Sequence, residues 1–285
     1  MTRLLNTYEE VTYDKLKPVC EENDAHVFAK VRIADALPVN GSGIPDTEFS
    51  FALKAHFDFI ATDEHYRPIF AVEYDGPMHA DKEQRRRDAK KNWLCEHFSL
   101  PLLRANANHL NRKFRGFDLL TYFVDVWFLD RAFEDARQRG EIPWDEGFDP
   151  MWVISNGKSD RSWPYWLSID IQCAVRHLYE EGEVSSDIIC HWVGTDKEDN
   201  YRCLCWLRMP EDRFVVAETG MRSQSFPIYQ PELVWQLGAF DVHDRLADIL
   251  KGTRAPTPED ELMQKYRYYQ ATYEQRAFGG YADHL

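Results

Sequence analysis

Residues 56–76 read HFDFIATDEHYRPIFAVEYDG, and this segment constrains the fold more than any other. Two apolar runs, Phe57–Ala61 and Pro68–Tyr74, flank the polar turn TDEHYR. Short apolar runs joined by turn residues read as two paired strands. Yet Asp58 lies among Phe57, Phe59 and Ile60, and Glu73 and Asp75 close the second run. Residues two apart on a strand share a face, so Glu73 and Asp75 project together. A hairpin would bring Asp58 beside them. Three carboxylates among apolar neighbours repel one another and are costly to bury. A hard divalent cation relieves that cost, since Mg²⁺ takes one or two carboxylates together with waters and phosphate oxygens. Gly76 lets the chain turn next to these acids. Asp63 and Glu64 lie in the turn itself and read as solvated.

The flanking sequence supplies a domain around this pair. Apolar spacing over Leu4–Glu22 is helical, although Pro18 weakens its end. Val27–Ala34 alternates like a strand, and Leu37–Asp46, with Gly41, Gly43 and two prolines, reads as a loop. Lys82–Phe98 is an amphipathic helix and Leu100–Arg104 a short buried strand. The order gives a mixed α/β core over residues 1–116. A long helix over Phe117–Arg139 is expected as a connector, with the turn-rich residues 140–150 as the boundary of the 117–150 link. Residues 151–285 then form a second α+β domain of unassigned fold. Its expected elements are a helix over 169–181, strands at 188–193, 202–209 and 214–217, and a helix over 231–250. A last, exposed helix follows in PTPEDELMQKYRYYQATYEQR. A length of 285 residues suits two such domains.

Charge narrows the partners. The net charge is −14, which argues against a protein that simply coats nucleic acid. From His79 to Arg115, however, ten Lys and Arg stand against the four acids Asp81, Glu83, Asp88 and Glu96. A basic segment in an acidic chain suits local phosphate binding; a solvated helix face is the plainer alternative. Six cysteines with no CxxC pair read as reduced, buried thiols of a cytosolic protein. The start MTRLLNTYEE has no apolar h-region, and the longest apolar stretch, Leu119–Leu129, is broken by Asp125. Neither a signal peptide nor a membrane span is expected, and the expected location is cytoplasmic.

The helix after the acids adds polar chemistry. Gln84, Asp88 and Lys91 fall at i, i+4 and i+7 on one face. Lys91 is placed to meet a phosphate or orient a water, with Asp88 to hold it. His79 follows the second strand and is a candidate acid, base or phosphate contact.

A strand with Asp58, a second ending Glu73-Tyr74-Asp75-Gly76, a nearby His79, a helix carrying Asp88 and Lys91 as D-x-x-K, and a strand ending in Arg104 resemble the PD-(D/E)xK nuclease superfamily. The pattern is most similar to its very-short-patch-repair-like branch and, within it, to the bacterial domain-of-unknown-function 2726 family. Leu4, Leu5, Glu9 and the run Lys30–Asp35 match the opening of that family, and the resemblance covers residues 1 to about 110. It implies a restriction-endonuclease-like mixed sheet flanked by helices and a Mg²⁺- or Mn²⁺-dependent endonuclease acting on DNA, with RNA left open. It implies Asp58 and Glu73 as metal ligands with Asp75 beside them, Glu9 approaching from the first helix, and His79 nearby. Arg85, Arg86, Arg87, Lys90 and Arg104 would grip the nucleic acid. Asp75 stands where the superfamily motif carries its lysine, so that role passes to Lys91 or to no residue. A role in host defence or repair follows from family habit. The alternative is a catalytically degenerate nucleic-acid-binding or regulatory module.

Residues 151–285 resemble no family by sequence. Trp152, Trp163, Tyr165, Trp166, Trp192, Trp206 and Trp235 read mainly as core. Tyr266, Tyr268, Tyr269 and Tyr273 share a helix with Arg267, which suits core or partner packing. The expectation for this half is a sensor, a lid, or a module for homo-oligomers or a protein partner.

Overall fold

The computed structural model describes residues 3–75, 82–106, 110, 113–114, 117–148, 167–224, 226 and 228–280. Over the described residues it is a mixed α/β protein with two main sheets and no barrel. The chain divides into two compact units, Met1–Pro150 with Gln224–Pro227, and Met151–Ser223 with Ile228–Leu285.

In the first unit, helix α1 (Thr7–Glu21) starts at a capping box: the Asn6 side chain accepts from the Glu9 N–H, and the Glu9 carboxylate accepts from the Asn6 N–H. That reciprocal pair satisfies two donors that a helix start leaves orphaned. Pro18 lies inside α1 without ending it. Strand β1 (His26–Arg32) follows, shorter than expected because Ile33–Ala36 forms one helical turn, α2. Helix α3 (Asp46–Ala52) was not expected. Its seven residues are too few for a periodic signal, and it buries Ala52.

Strands β2 (His56–Thr62) and β3 (Pro68–Tyr74) form the expected hairpin. Helix α4 (Lys82–His97) then leads to β4 (Leu102–Ala105), which pairs parallel to β3. The sheet order is β1-β2-β3-β4. Alternate residues of β2 and β3 serve opposite faces. Tyr13 of α1 meets Phe59 and Trp127 meets Phe70, whereas Glu73, of opposite parity to Phe70, meets Lys91 of α4. A two-residue ribbon, β5 (Lys113–Phe114) with β6 (Phe117–Asp118), precedes helix α5 (Leu119–Gln138). Asp118 caps α5 and pairs with Lys15, and α5 packs on α1. The helix expected as a connector is therefore part of the first unit, because its Tyr122, Phe123, Val126 and Trp127 are buried there.

In the second unit, helix α6 (Ile169–Glu180) packs on helix α7 (Gln230–Leu250). Strands β7 (Cys190–Thr195), β8 (Tyr201–Met209) and β9 (Arg213–Met221) form an antiparallel sheet, flanked by β10 (Thr257–Pro258) and β11 (Glu274–Gly279). Cys203 and Cys205 share a face of β8; both are buried, and the Sγ atoms are 3.3 Å apart. The final helix, α8 (Glu259–Thr272), is not simply exposed. Its Leu262, Tyr266 and Tyr269 pack against Trp192, Leu204 and Trp206, and it stops at Tyr273, where the chain becomes the edge strand β11. Trp152, Trp163, Tyr165 and Trp166 lie outside the described residues. Among the described residues no helix is long and apolar enough to cross a membrane.

Candidate functional site

The register of the first sheet assembles the site. Lys30 of β1 stands opposite Asp58 of β2, since Ala29 pairs with Phe59 and Val31 with Phe57. Asp58 faces Glu73 one step beyond the pair Phe59–Val72. Glu73 is in register with Arg104 of β4. A single row, Lys30–Asp58–Glu73–Arg104, thus crosses all four strands.

At its centre the β2–β3 ladder gives way to side chains. The Asp58 N–H donates to Glu73 Oε1 at 3.3 Å, and the Tyr74 N–H donates to Asp58 Oδ2 at 3.0 Å. Each carboxylate thus takes an N–H of the other strand, which accounts for acids at the end of an apolar hairpin. Lys91 reaches down from α4 and places Nζ 2.6 Å from Glu73 Oε2. Glu73 is buried, and burial, reinforced by Asp58 and opposed by Lys91, pushes its pKa up to about 7.

Lys30 holds the other end. Its Nζ lies 2.7 Å from Asp58 Oδ1 and 2.8 Å from Glu9 Oε1. Burial works against the Lys30 charge, but hydrogen bonds to Asp58 and Glu9 outweigh it and hold the pKa above the ordinary lysine value. Lys30 has φ +55° in the middle of a strand. This left-handed conformation is uncommon for a residue with a long side chain and costs about 1–2 kcal/mol.

Asp75 departs from the expected convergence of three carboxylates. Its Oδ1 accepts from Arg104 at 3.0 Å, and Arg104 also meets Asn92 Oδ1 at 2.8 Å and lies 3.6 Å from Asp88 Oδ1. Arg104, one strand over, draws Asp75 into this second cluster. Among the described residues no three acidic, histidine or cysteine side chains gather closely enough to share an ion. Asp58 and Glu73 remain as an adjacent pair of hard oxygen donors, a set that fits a cation requiring only one or two carboxylates. Glu9 is committed to the capping box and to Lys30, so it joins the site through the ammonium.

The expected phosphate contacts divide. Arg85, Arg86 and Arg87 are exposed on α4. Lys90 is tied to Glu48 at 3.2 Å and lies over the Phe51 ring, so it fastens α4 to α3. Arg104 is buried at 5% exposure inside its ion-pair cluster and does not face a ligand surface. Asp88, expected to hold Lys91, accepts from Gln84 and lies beside Arg104, while Lys91 pairs with Glu73. His79 lies outside the described residues, as do Gly76, Arg112 and Arg115.

Three contributors escaped the sequence reading. Lys30 is an ordinary polar position until register and φ are known. Asn92 orients Arg104. Gln224 lies at the β4 edge: its Oε1 accepts from the Arg104 N–H at 3.1 Å and its Nε2 donates to the Arg104 carbonyl at 3.4 Å. The pairing of a strand edge by one amide across 120 residues of sequence leaves no local signal.

The fold and site define a mixed α/β domain whose central strands carry a paired-carboxylate, lysine-bridged polar centre. Residues 1–115 match the model of the family described as protein of unknown function (DUF2726). Neither a curated protein nor a solved structure matches the chain.

Proposed function

We propose that the first unit is a metal-dependent endonuclease that hydrolyses phosphodiester bonds in DNA. The observation that carries this reading is the adjacent Asp58–Glu73 pair with Lys91 2.6 Å from Glu73. Two carboxylates and an ammonium are the groups that phosphodiester hydrolysis needs beside the reacting phosphate. Asp58 and Glu73 would hold a hard cation, Mg²⁺ or Mn²⁺, which when bound activates water and offsets charge on the phosphoryl oxygens. Lys91 supplies an ammonium to a phosphate oxygen once Glu73 no longer needs it. Lys30, 2.7 Å from Asp58 Oδ1, fixes the orientation of that carboxylate. Arg104, through Asp75 and Asn92, holds the end of β3 and the facing side of α4 at the correct separation.

The test is conversion of supercoiled plasmid with Mg²⁺ or Mn²⁺, beside Asp58→Asn, Glu73→Gln and an EDTA control. Nicking by the wild type that disappears in all three is expected. Cleavage retained in both variants overturns the reading. A second reading, a binding module without catalysis, draws on the cations Lys30, Lys91 and Arg104 already paired with the acids. Calorimetry with Mn²⁺ separates the two, because the second predicts no uptake that depends on Asp58 and Glu73.

A further inference from the structure

A cleft of about 430 Å³ opens beside Asp58, lined by Lys30, Lys54, Ala55, His56, Arg87 and Lys91 as well as Asp58. Its basic side chains come from three places: β1, the α3–β2 junction and α4. The inner ammoniums, Lys30 and Lys91, are held by carboxylates. The outer groups differ. Lys54, His56 and Arg87 are exposed, and neither Lys54 nor Arg87 makes an ion pair among the described residues. His56 and Asp58 are two residues apart on β2, so they share a face and lead from the mouth of the cleft to the acid. In a chain of net charge −14, such a concentration of cations in one concavity favours an anion.

We propose that Lys54, His56 and Arg87 form a phosphate-binding rim, and that the DNA backbone enters the Asp58–Glu73 centre across the α3–β2 junction. The identity of the reacting centre rests on the nuclease reading; the rim itself rests on the cleft. Phosphates beside the scissile one occupy Lys54 and Arg87, which make no ion pair among the described residues. Lys30 and Lys91 remain with the carboxylates until the reacting phosphate arrives. The rim binds backbone, so it contributes affinity without base preference. The ligand chemistry is a phosphodiester, and a free phosphate ion is the other source of the same oxygens.

The experiment is fluorescence anisotropy of a labelled DNA duplex and its single strand, in EDTA so that no cleavage occurs. The proteins are the full-length wild type, Lys54→Glu, Arg87→Ala, His56→Ala and, as a control in the second unit, Lys251→Ala. Lys54 and Arg87 are exposed, so their variants retain the fold; circular dichroism checks this. The expected result is several-fold weaker binding for each rim variant, with the salt slope reduced by about one for Lys54 and Arg87, and no change for Lys251→Ala. Wild-type binding unaffected by the rim variants overturns the proposal while leaving the nuclease reading intact. Binding of inorganic phosphate by calorimetry, without DNA binding, also overturns it, as does failure of the wild type to bind any of these probes. Rim-dependent binding with no plasmid cleavage in Mg²⁺ or Mn²⁺ upholds the rim and removes the nuclease reading instead.

Discussion

Replacing Lys30 by glycine should leave the first unit more stable than replacing it by alanine. Both substitutions remove the ammonium from between Glu9 and Asp58. Both leave those carboxylates with one backbone donor each, the Asn6 N–H and the Tyr74 N–H. That loss cancels in the comparison, and the difference lies in the backbone. At φ +55° alanine keeps a left-handed penalty of about 1–2 kcal/mol, whereas glycine adopts the conformation freely. Glycine gives back about 0.5–1 kcal/mol through the greater freedom of its unfolded chain. Lys30→Gly should therefore exceed Lys30→Ala by about 0.5–1 kcal/mol. At an ordinary strand position the order is reversed by a similar amount. Hydrogen exchange of β1 and β2 amides in increasing urea reads this unit separately from the second. Lys30→Ala equal to or more stable than Lys30→Gly would falsify the claim that β1 carries strain at this residue. On the proposed reading, glycine recovers stability without recovering plasmid nicking, because the strained backbone at this strand position serves to aim the ammonium that glycine lacks.

Three further outcomes follow from other sites. His191 stacks on Trp235 with ring centroids 4.5 Å apart, its Nδ1 is buried without a partner, and burial pushes its pKa down to about 4 from 6.5. The unfolded chain takes a proton below pH 6.5 while the folded one does not, so the second unit should lose about 3 kcal/mol as pH falls from 6.5 to 4 and nothing above that window. The decline should flatten in His191→Gln, and a ring titration by NMR near pH 6.5 would remove its basis. Gly238 of α7 would place a Cβ 2.4 Å from Cys205 Sγ. Gly238→Ala should cost about 1–3 kcal/mol from overpacking, less up to about 1 from helix propensity. Denaturant unfolding should show the cost shrinking in a Cys205→Ala background; an equal cost in both backgrounds refutes the close contact. Gln224→Ala should cost about 1–3 kcal/mol by leaving the Arg104 N–H and carbonyl unpaired at a buried edge. It should also speed hydrogen exchange in β4, and unchanged exchange there counts against the bridge.

The parts of this fold visible in the sequence are those with a local cause. Asp58 and Glu73 declare themselves because an acid inside an apolar strand needs a reason to be there. Helix α7 shows through its length and apolar spacing; α4 shows through its length alone, since the face it buries carries Asp88 and Lys91 beside Leu94 and Cys95 and is not the apolar face expected of an amphipathic helix. What escaped depends on partners far along the chain. Asp75 looks equivalent to Glu73 in sequence, and only the parallel register of β3 with β4 turns it toward Arg104. Lys30 looks like any polar strand residue until its pairing with Asp58 and its φ are known. In the second unit, the polar run Glu274–Arg276 continues the expected last helix without a break in sequence, and only the pairing of β11 with β7 shows where that helix ends.

The row across the four strands also explains how such a centre can exist in a folded chain before any ligand arrives. Two adjacent carboxylates, one of them buried, would be costly alone. Lys30 and Lys91 offset that cost from within the chain. The same arrangement makes ligands interdependent on the proposed reading. An ammonium that gives up a carboxylate needs another acceptor, and a phosphate oxygen is one. A cation entering between Asp58 and Glu73 frees Lys91 for phosphate, and phosphate drawing Lys91 away exposes Glu73 to a cation. Each ligand therefore tightens the other by the same free energy, as linkage requires. Cation uptake that depends on Asp58 and Glu73 is then expected to be weak without nucleic acid and tighter with it, whereas the binding-module reading predicts none in either case.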